Sequence, residues 1–180
     1  MVAALLASAC GGCKQKTEFA GVGPWRIGKT HLRDATGRCQ PEELLDGRKG
    51  TWCFGQTPLR LGGQDASIDL YFDGTEPDAK VIEIQLQFRG CHEEQLASWV
   101  RTNFGEPFET RGKRLFLRNS AAFVVADLPE SPARCAVRLL PRSETGELER
   151  MRGAATRSSP TGSGSGSGSV TGSVSGSGSG

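Results

Sequence analysis

The chain has 180 residues with 22 basic and 20 acidic side chains, a formal charge of +2, and that balance gives no electrostatic ground for a nucleic-acid partner or an anionic membrane surface. No stretch approaches the roughly 20 apolar residues of a membrane-spanning helix. Ser158 to Gly180 is almost entirely Gly, Ser and Thr, too polar to offset the cost of ordering, so residues 142–180 read as a disordered tail and residues 19–141 as one α+β domain.

The chain opens with MVAALLASAC, an apolar run that stops at Cys10 and gives way to the polar KQKTE. Ala7, Ser8 and Ala9 place small residues before Cys10, and Gly11 and Gly12 follow it. This start resembles the end of a bacterial lipoprotein signal. The resemblance implies cleavage before Cys10, acylation of Cys10, a tether over residues 10–18 after a signal-like segment over 1–9, and residence in the cell envelope or secretion. Attachment to a membrane would then be through the lipid alone. The plainer reading of the same run is an apolar N-terminal segment that packs or frays. Cys10 and Cys13 form a C-x-x-C, but the run before them and the Lys/Gln-rich stretch after them supply neither the flanking strand and helix of a redox pair nor the second pair of a zinc site.

Further along, Trp25 to Ile27 leads through Gly28 to Thr30, a candidate N-cap for a short helix holding Leu32 and Ala35. Thr51 to Phe54 and Leu59 to Leu61 read as short strands. Ser67 to Asp73 sends Ile68, Leu70 and Phe72 to one side, and Val81 to Arg89 alternates Ile82, Ile84, Leu86 and Phe88 with Glu83, Gln85, Gln87 and Arg89. The two runs should pair through a hairpin connection from Asp73 to Lys80. After Cys91, the spacing of Leu96, Trp99, Val100 and Phe104 predicts a helix that starts near Glu93 and Glu94 and stops at Gly105 and Pro107. Arg114 to Arg118, Ala121 to Leu128 and Cys135 to Leu140 complete the strands, with a tight turn at Asn119-Ser120. The expected fold is α+β, an antiparallel sheet of about five to seven strands with one or two helices on one face, held by disulfides.

Cys39, Cys53, Cys91 and Cys135 are an even set in a small chain with a secretory-type start, which reads as two disulfides. Three connectivities are open. Cys39 with Cys53 and Cys91 with Cys135 is preferred, because the first pair closes a local loop and the second joins adjacent elements; four buried thiols are the alternative. The order of elements, with the step Gly28-Lys29-Thr30 before a run of strands, resembles the small envelope domains of the beta-lactamase-inhibitor-like and SmpA/OmlA types. No binding residue of those families carries over.

Gly23 to Thr30, GPWRIGKT, satisfies the P-loop pattern, in which backbone N–H groups cradle phosphates, Lys29 would reach the outer phosphates and Thr30 would hold magnesium. Ala121 to Asp127, an apolar run ending in a carboxylate, would supply the partner Asp127. Context opposes this: no buried strand precedes Gly23, and Pro24, Trp25, Arg26 and Ile27 crowd a loop that favours small residues. His31 and His92 are the two histidines, and His92-Glu93 lacks the second histidine of a zinc helix, because the fifth position is Leu96. Asp65, Asp69 and Asp73 read as solvated carboxylates. Arg111, Lys113 and Arg114, with Arg101, Arg118, Phe108 and Phe116 near in sequence, read as a charged hairpin tip. No catalytic set, metal site or cofactor emerges. The expected function is a non-enzymatic binding or structural module of the cell envelope, meeting an envelope protein or another periplasmic or extracellular ligand, with Glu83, Gln85, Gln87 and Arg89 as the partner-binding surface; the alternative is a P-loop nucleotide-binding protein using Gly23, Gly28, Lys29, Thr30 and Asp127.

Overall fold

In the computed structural model, which describes residues 20–44, 46–128 and 134–157 (155–157 by backbone only), the alternating runs form the centre of one large sheet. Strands β6 (Gln64–Phe72) and β7 (Val81–Arg89) pair antiparallel from Ala66 opposite Phe88 to Phe72 opposite Val81. Ala66, Ile68, Leu70 and Phe72 are buried on one face together with Ile84, Leu86 and Phe88. The register shifts between Tyr71, opposite Glu83, and Phe72, opposite Val81. The extra residue is Ile82. A bulge of this kind turns the following side chains over, so Val81 takes the core position expected for Ile82.

Around this hairpin lie β1 (Gly21–Val22), β2 (Trp25–Arg26), β3 (Arg38–Glu43), β4 (Lys49–Phe54), β5 (Leu59–Leu61), β8 (Glu109–Arg111), β9 (Arg114–Arg118), β10 (Ala122–Asp127) and β11 (Arg134–Pro141). β1 and β2 make a separate two-stranded ribbon. The other nine form one antiparallel sheet in the order β3-β4-β6-β7-β11-β10-β9-β8, with β5 sharing with β4 the edge of β6 that β7 leaves open. Helix α1 (Glu93–Phe104) buries Leu96, Val100 and Phe104 on the face that carries Ile84 and Leu86, beside Trp25 and Ile27 from the ribbon. Helix α2 (Thr145–Arg157) lies on the other face, where Leu148 and Met151 pack with Phe116, Phe123, Val125 and Leu140.

The α+β expectation is therefore corrected. The protein is mostly β, with nine strands in the sheet instead of five to seven, a further two-stranded ribbon, and helices on opposite faces. Edge strand β3 is exposed along almost its whole length and contains Pro41, so it shows no apolar alternation. The helix expected after Thr30 is a single 3-10 turn, Leu32–Asp34. The segment 142–157, placed in the polar tail by composition, includes α2. The expectations for residues 1–18, including Cys10 and the Cys10-Cys13 pair, and for 158–180 lie outside the described residues.

Local polar groups fix the ends of α1. Buried Gln64 accepts a hydrogen bond from the His92 N–H at 2.7 Å and donates its amide to the His92 carbonyl at 3.3 Å. At the other end Gly105 adopts φ +93°, a conformation that costs glycine little, and its N–H bonds to the Arg101 carbonyl.

Both disulfides form, in the preferred connectivity. Cys39–Cys53 joins residues directly opposite each other on β3 and β4, and Cys91–Cys135 ties the β7-to-α1 connection to β11. With sequence separations of 14 and 44, the chain-entropy model assigns them about 3 and about 4 kcal/mol.

Candidate functional site

The face of the sheet that carries α2 is only half covered. α2 occupies the β9-β10-β11 side, and between it and the hairpin loop joining β3 to β4 lies an open groove of about 300 Å³. Its floor is Tyr71, Ile82, Glu83, Gln85, Arg138 and Leu140. One wall is Glu42, Glu43, Leu44, Asp46 and Arg48, and the other is Glu144, Glu147 and Arg150. The bulge that displaces Ile82 from the core also places it here.

Charge in the groove is organised around its arginines. Arg138, on the floor, pairs with Glu83 through Nε and with Glu147 of α2 at 3.0 Å through Nη2. Burial pulls the guanidinium pKa down, but the two carboxylates outweigh this and raise it. Among the described residues Glu83 receives both of its bonds on Oε1, from Arg138 and from the Gln85 side-chain amide at 2.8 Å, and Oε2 takes none. Arg48 closes one end of the groove by pairing with Asp46, with Asp73 at 2.8 Å and with Glu144 at 3.1 Å. Arg150 pairs with Glu147. Glu42 and Glu43 make no ion pair among the described residues. Burial first, then the negative charges of Glu83 and Asp69, push the Tyr71 phenol up to about 12.

Of the four residues expected to meet a partner, Glu83 and Gln85 line this groove, whereas Gln87 and Arg89 lie farther along β7, beyond it. The hairpin wall and the α2 wall were not legible as site residues. The one sequence signal for α2 is the uninterrupted run Ala122 to Ala126, buried throughout, since a strand apolar at every position needs cover on both faces.

The Gly23–Thr30 segment does not build a phosphate cradle. It spans the ribbon turn and the step after it: Gly23 lies between β1 and β2, Trp25 and Ile27 point into the core, and the motif's N–H groups are spent within the protein. Gly28 N–H bonds to the Val81 carbonyl at 2.8 Å, and Lys29 and Thr30 N–H groups bond to the Arg26 carbonyl. The Thr30 hydroxyl accepts from the Arg26 N–H at 2.9 Å. Asp127 pairs with Arg114 on the face opposite Trp25 and Ile27, at the level of Gln87, while Thr30 bonds at the level of Val81. Six residues along the strands, on the order of 20 Å, separate those levels. A second cavity, lined by Trp25, Thr30, Asp34, Thr36 and Leu59 among others, lies beside this segment and is predominantly apolar.

The remaining motifs resolve into local structure. The His31 N–H donates to the Asp34 carboxylate at 2.9 Å at the head of the 3-10 turn, and His92 stands at the head of α1. Asp65 and Asp69 point to the groove side of β6, away from the buried Ala66, Ile68 and Leu70, and Asp73 is held by Arg48. The basic cluster is absorbed by α2 and its neighbours. Arg114 and Arg111 donate to the Met151 and Arg152 carbonyls at 2.7 and 3.0 Å, which places cations at the C-terminal part of the helix. Lys113 pairs with Glu93 at 2.6 Å, Arg101 with Glu106 at 3.6 Å, and Arg118 lies over the Phe108 ring. Among the described residues no group of three or more His, Cys, Asp or Glu side chains is placed to hold a metal ion.

No protein family, curated protein or solved structure matches the chain.

Proposed function

We propose that this protein is a non-enzymatic binding module of the bacterial cell envelope, lipid-anchored through Cys10 or secreted, which presents the open half of its sheet face to a partner. The observation that carries the reading is the groove between the β3–β4 hairpin and α2, a concave site on a rigid sheet whose polar groups converge. The two disulfides support an oxidising location, where such bonds persist. The signal-like run ending at Cys10 supports export.

Intact-mass spectrometry of the protein from its native host, with and without reduction and alkylation, tests the location. The expected result is a mature chain that begins at an acylated Cys10, or a secreted processed form, with the thiols of Cys39, Cys53, Cys91 and Cys135 appearing only on reduction. An unprocessed chain with those thiols free overturns the reading.

A further inference from the structure

We infer that the groove takes a lysine or arginine side chain from an extended, basic segment of a partner polypeptide. This rests on the reading of the groove as the binding face and gives that face its chemistry.

Six carboxylates line the groove against three guanidiniums, and each guanidinium is already paired with groove or neighbouring carboxylates. The negative excess therefore belongs to Glu42 and Glu43 on the wall, which make no ion pair among the described residues. Among the described residues Glu83 Oε2 accepts no hydrogen bond, both donors lying on Oε1, and Glu83 is part of the groove floor. A carboxylate oxygen without a donor favours one that carries positive charge. The rest of the lining is Leu44, Ile82, Leu140 and Tyr71, with Gln85 as its one neutral amide. A long apolar stem ending in a cation matches this mixture, whereas a compact metal ion would leave the apolar part unused. The volume of about 300 Å³ suits one or two side chains.

A trans segment is favoured over this chain's own Lys14 and Lys16 by where the described chain begins. Ala20 accepts the Ile27 N–H and leads into the ribbon, whose Val22, Trp25 and Ile27 pack on the face opposite the groove.

The test is calorimetric titration of the full chain with hexalysine, hexaglutamate and a neutral Gly/Ser/Gln hexapeptide, with backbone NMR to locate the contact. Hexalysine should bind at β7, the hairpin loop and α2, and added salt should weaken it. Glu42→Gln with Glu43→Gln, both at exposed or half-exposed positions and so not needed for folding, should weaken binding roughly threefold to tenfold. Hexalysine binding unaffected by that double change, or binding elsewhere, overturns the assignment. Neutral or anionic peptide held at the same residues overturns the cationic chemistry while leaving the binding face in place, and silence from all three peptides at this face counts against both. If Lys14→Ala with Lys16→Ala raises hexalysine affinity more than tenfold, the occupant is the chain's own tether and the trans proposal fails.

Discussion

Two halves of one sheet face can be compared directly. Over β9, β10 and β11 the outward residues are Phe116, Phe123, Val125 and Leu140, and α2 covers them with Leu148 and Met151. Over β4, β6 and β7 the outward residues include Trp52, Phe54, Asp69, Tyr71, Ile82, Glu83, Gln85 and Gln87, a mixed set on which no helix of the described residues packs a cluster. The opposite face of the same strands is equally apolar in both halves. The difference shows that a strand's second face records what lies on it: continuous hydrophobicity in β10 means a covering element, and the alternation from Ile84 to Arg89 in β7 means solvent or a partner.

The comparison can be broken most forcefully on the covered side. Phe116→Ala should cost about 3–5 kcal/mol in denaturant unfolding, as expected for a large ring removed from between a sheet and a helix. A cost no greater than that of an open-half change would mean that α2 does not bury this face. Next in size, replacing the Cys39–Cys53 pair by serines should lower stability by about 3 kcal/mol and loosen β3, which among the described residues pairs with β4 alone. Hydrogen exchange should then rise first in residues 38–43. On the open half, Gln87→Ala should stay within about 0.5 kcal/mol of the parent protein, since its side chain is exposed and makes one long contact of 3.5 Å with Asp69.

The finest comparison is of charge. The chain has a single tyrosine, so phenolate absorbance reads Tyr71 alone. It should titrate near 12 in the folded protein and near 10 when unfolded. Because the folded form holds the proton more tightly, the associated stability is present below pH 10 and is lost as the pH rises through 12. Glu42→Gln should move the folded value slightly down, since the Glu42 charge is the smallest of the influences that raise it. A folded value near 10 would mean that burial and the neighbouring carboxylates together do not hold the Tyr71 proton.

Legibility followed the same division. The β6–β7 hairpin and α1 could be read because most of their apolar residues recur with a period near two or 3.6 against one core, β9 to β11 because their Leu, Phe and Val content marks strands, and the disulfide pairing followed from proximity along the chain. What could not be read depends on the far side of the sheet. β3 is held by pairing and a disulfide, without an apolar stripe of its own. Among its described residues α2 brings two apolar side chains to the sheet, Leu148 and Met151, from an otherwise mostly polar segment. The P-loop pattern of Gly23 to Thr30 illustrates the converse: the residue types match, but Trp25 and Ile27 belong to the core, and that burial decides the conformation. Glu83 and Gln85 were found because they alternate with core residues, while Glu42, Glu43, Glu144 and Glu147 reach the groove only through tertiary structure.

The strand order also limits how a partner can lie on this protein. A sheet of eight strands in succession, turning by about 20–25° at each step, rotates by roughly 140–175° from β3 to β8. A straight polypeptide laid across the open half runs parallel to the underlying strands for only a short distance before the surface winds away beneath it. Recognition on such a propeller-like surface is confined to a few consecutive residues, and longer partners must bend or leave.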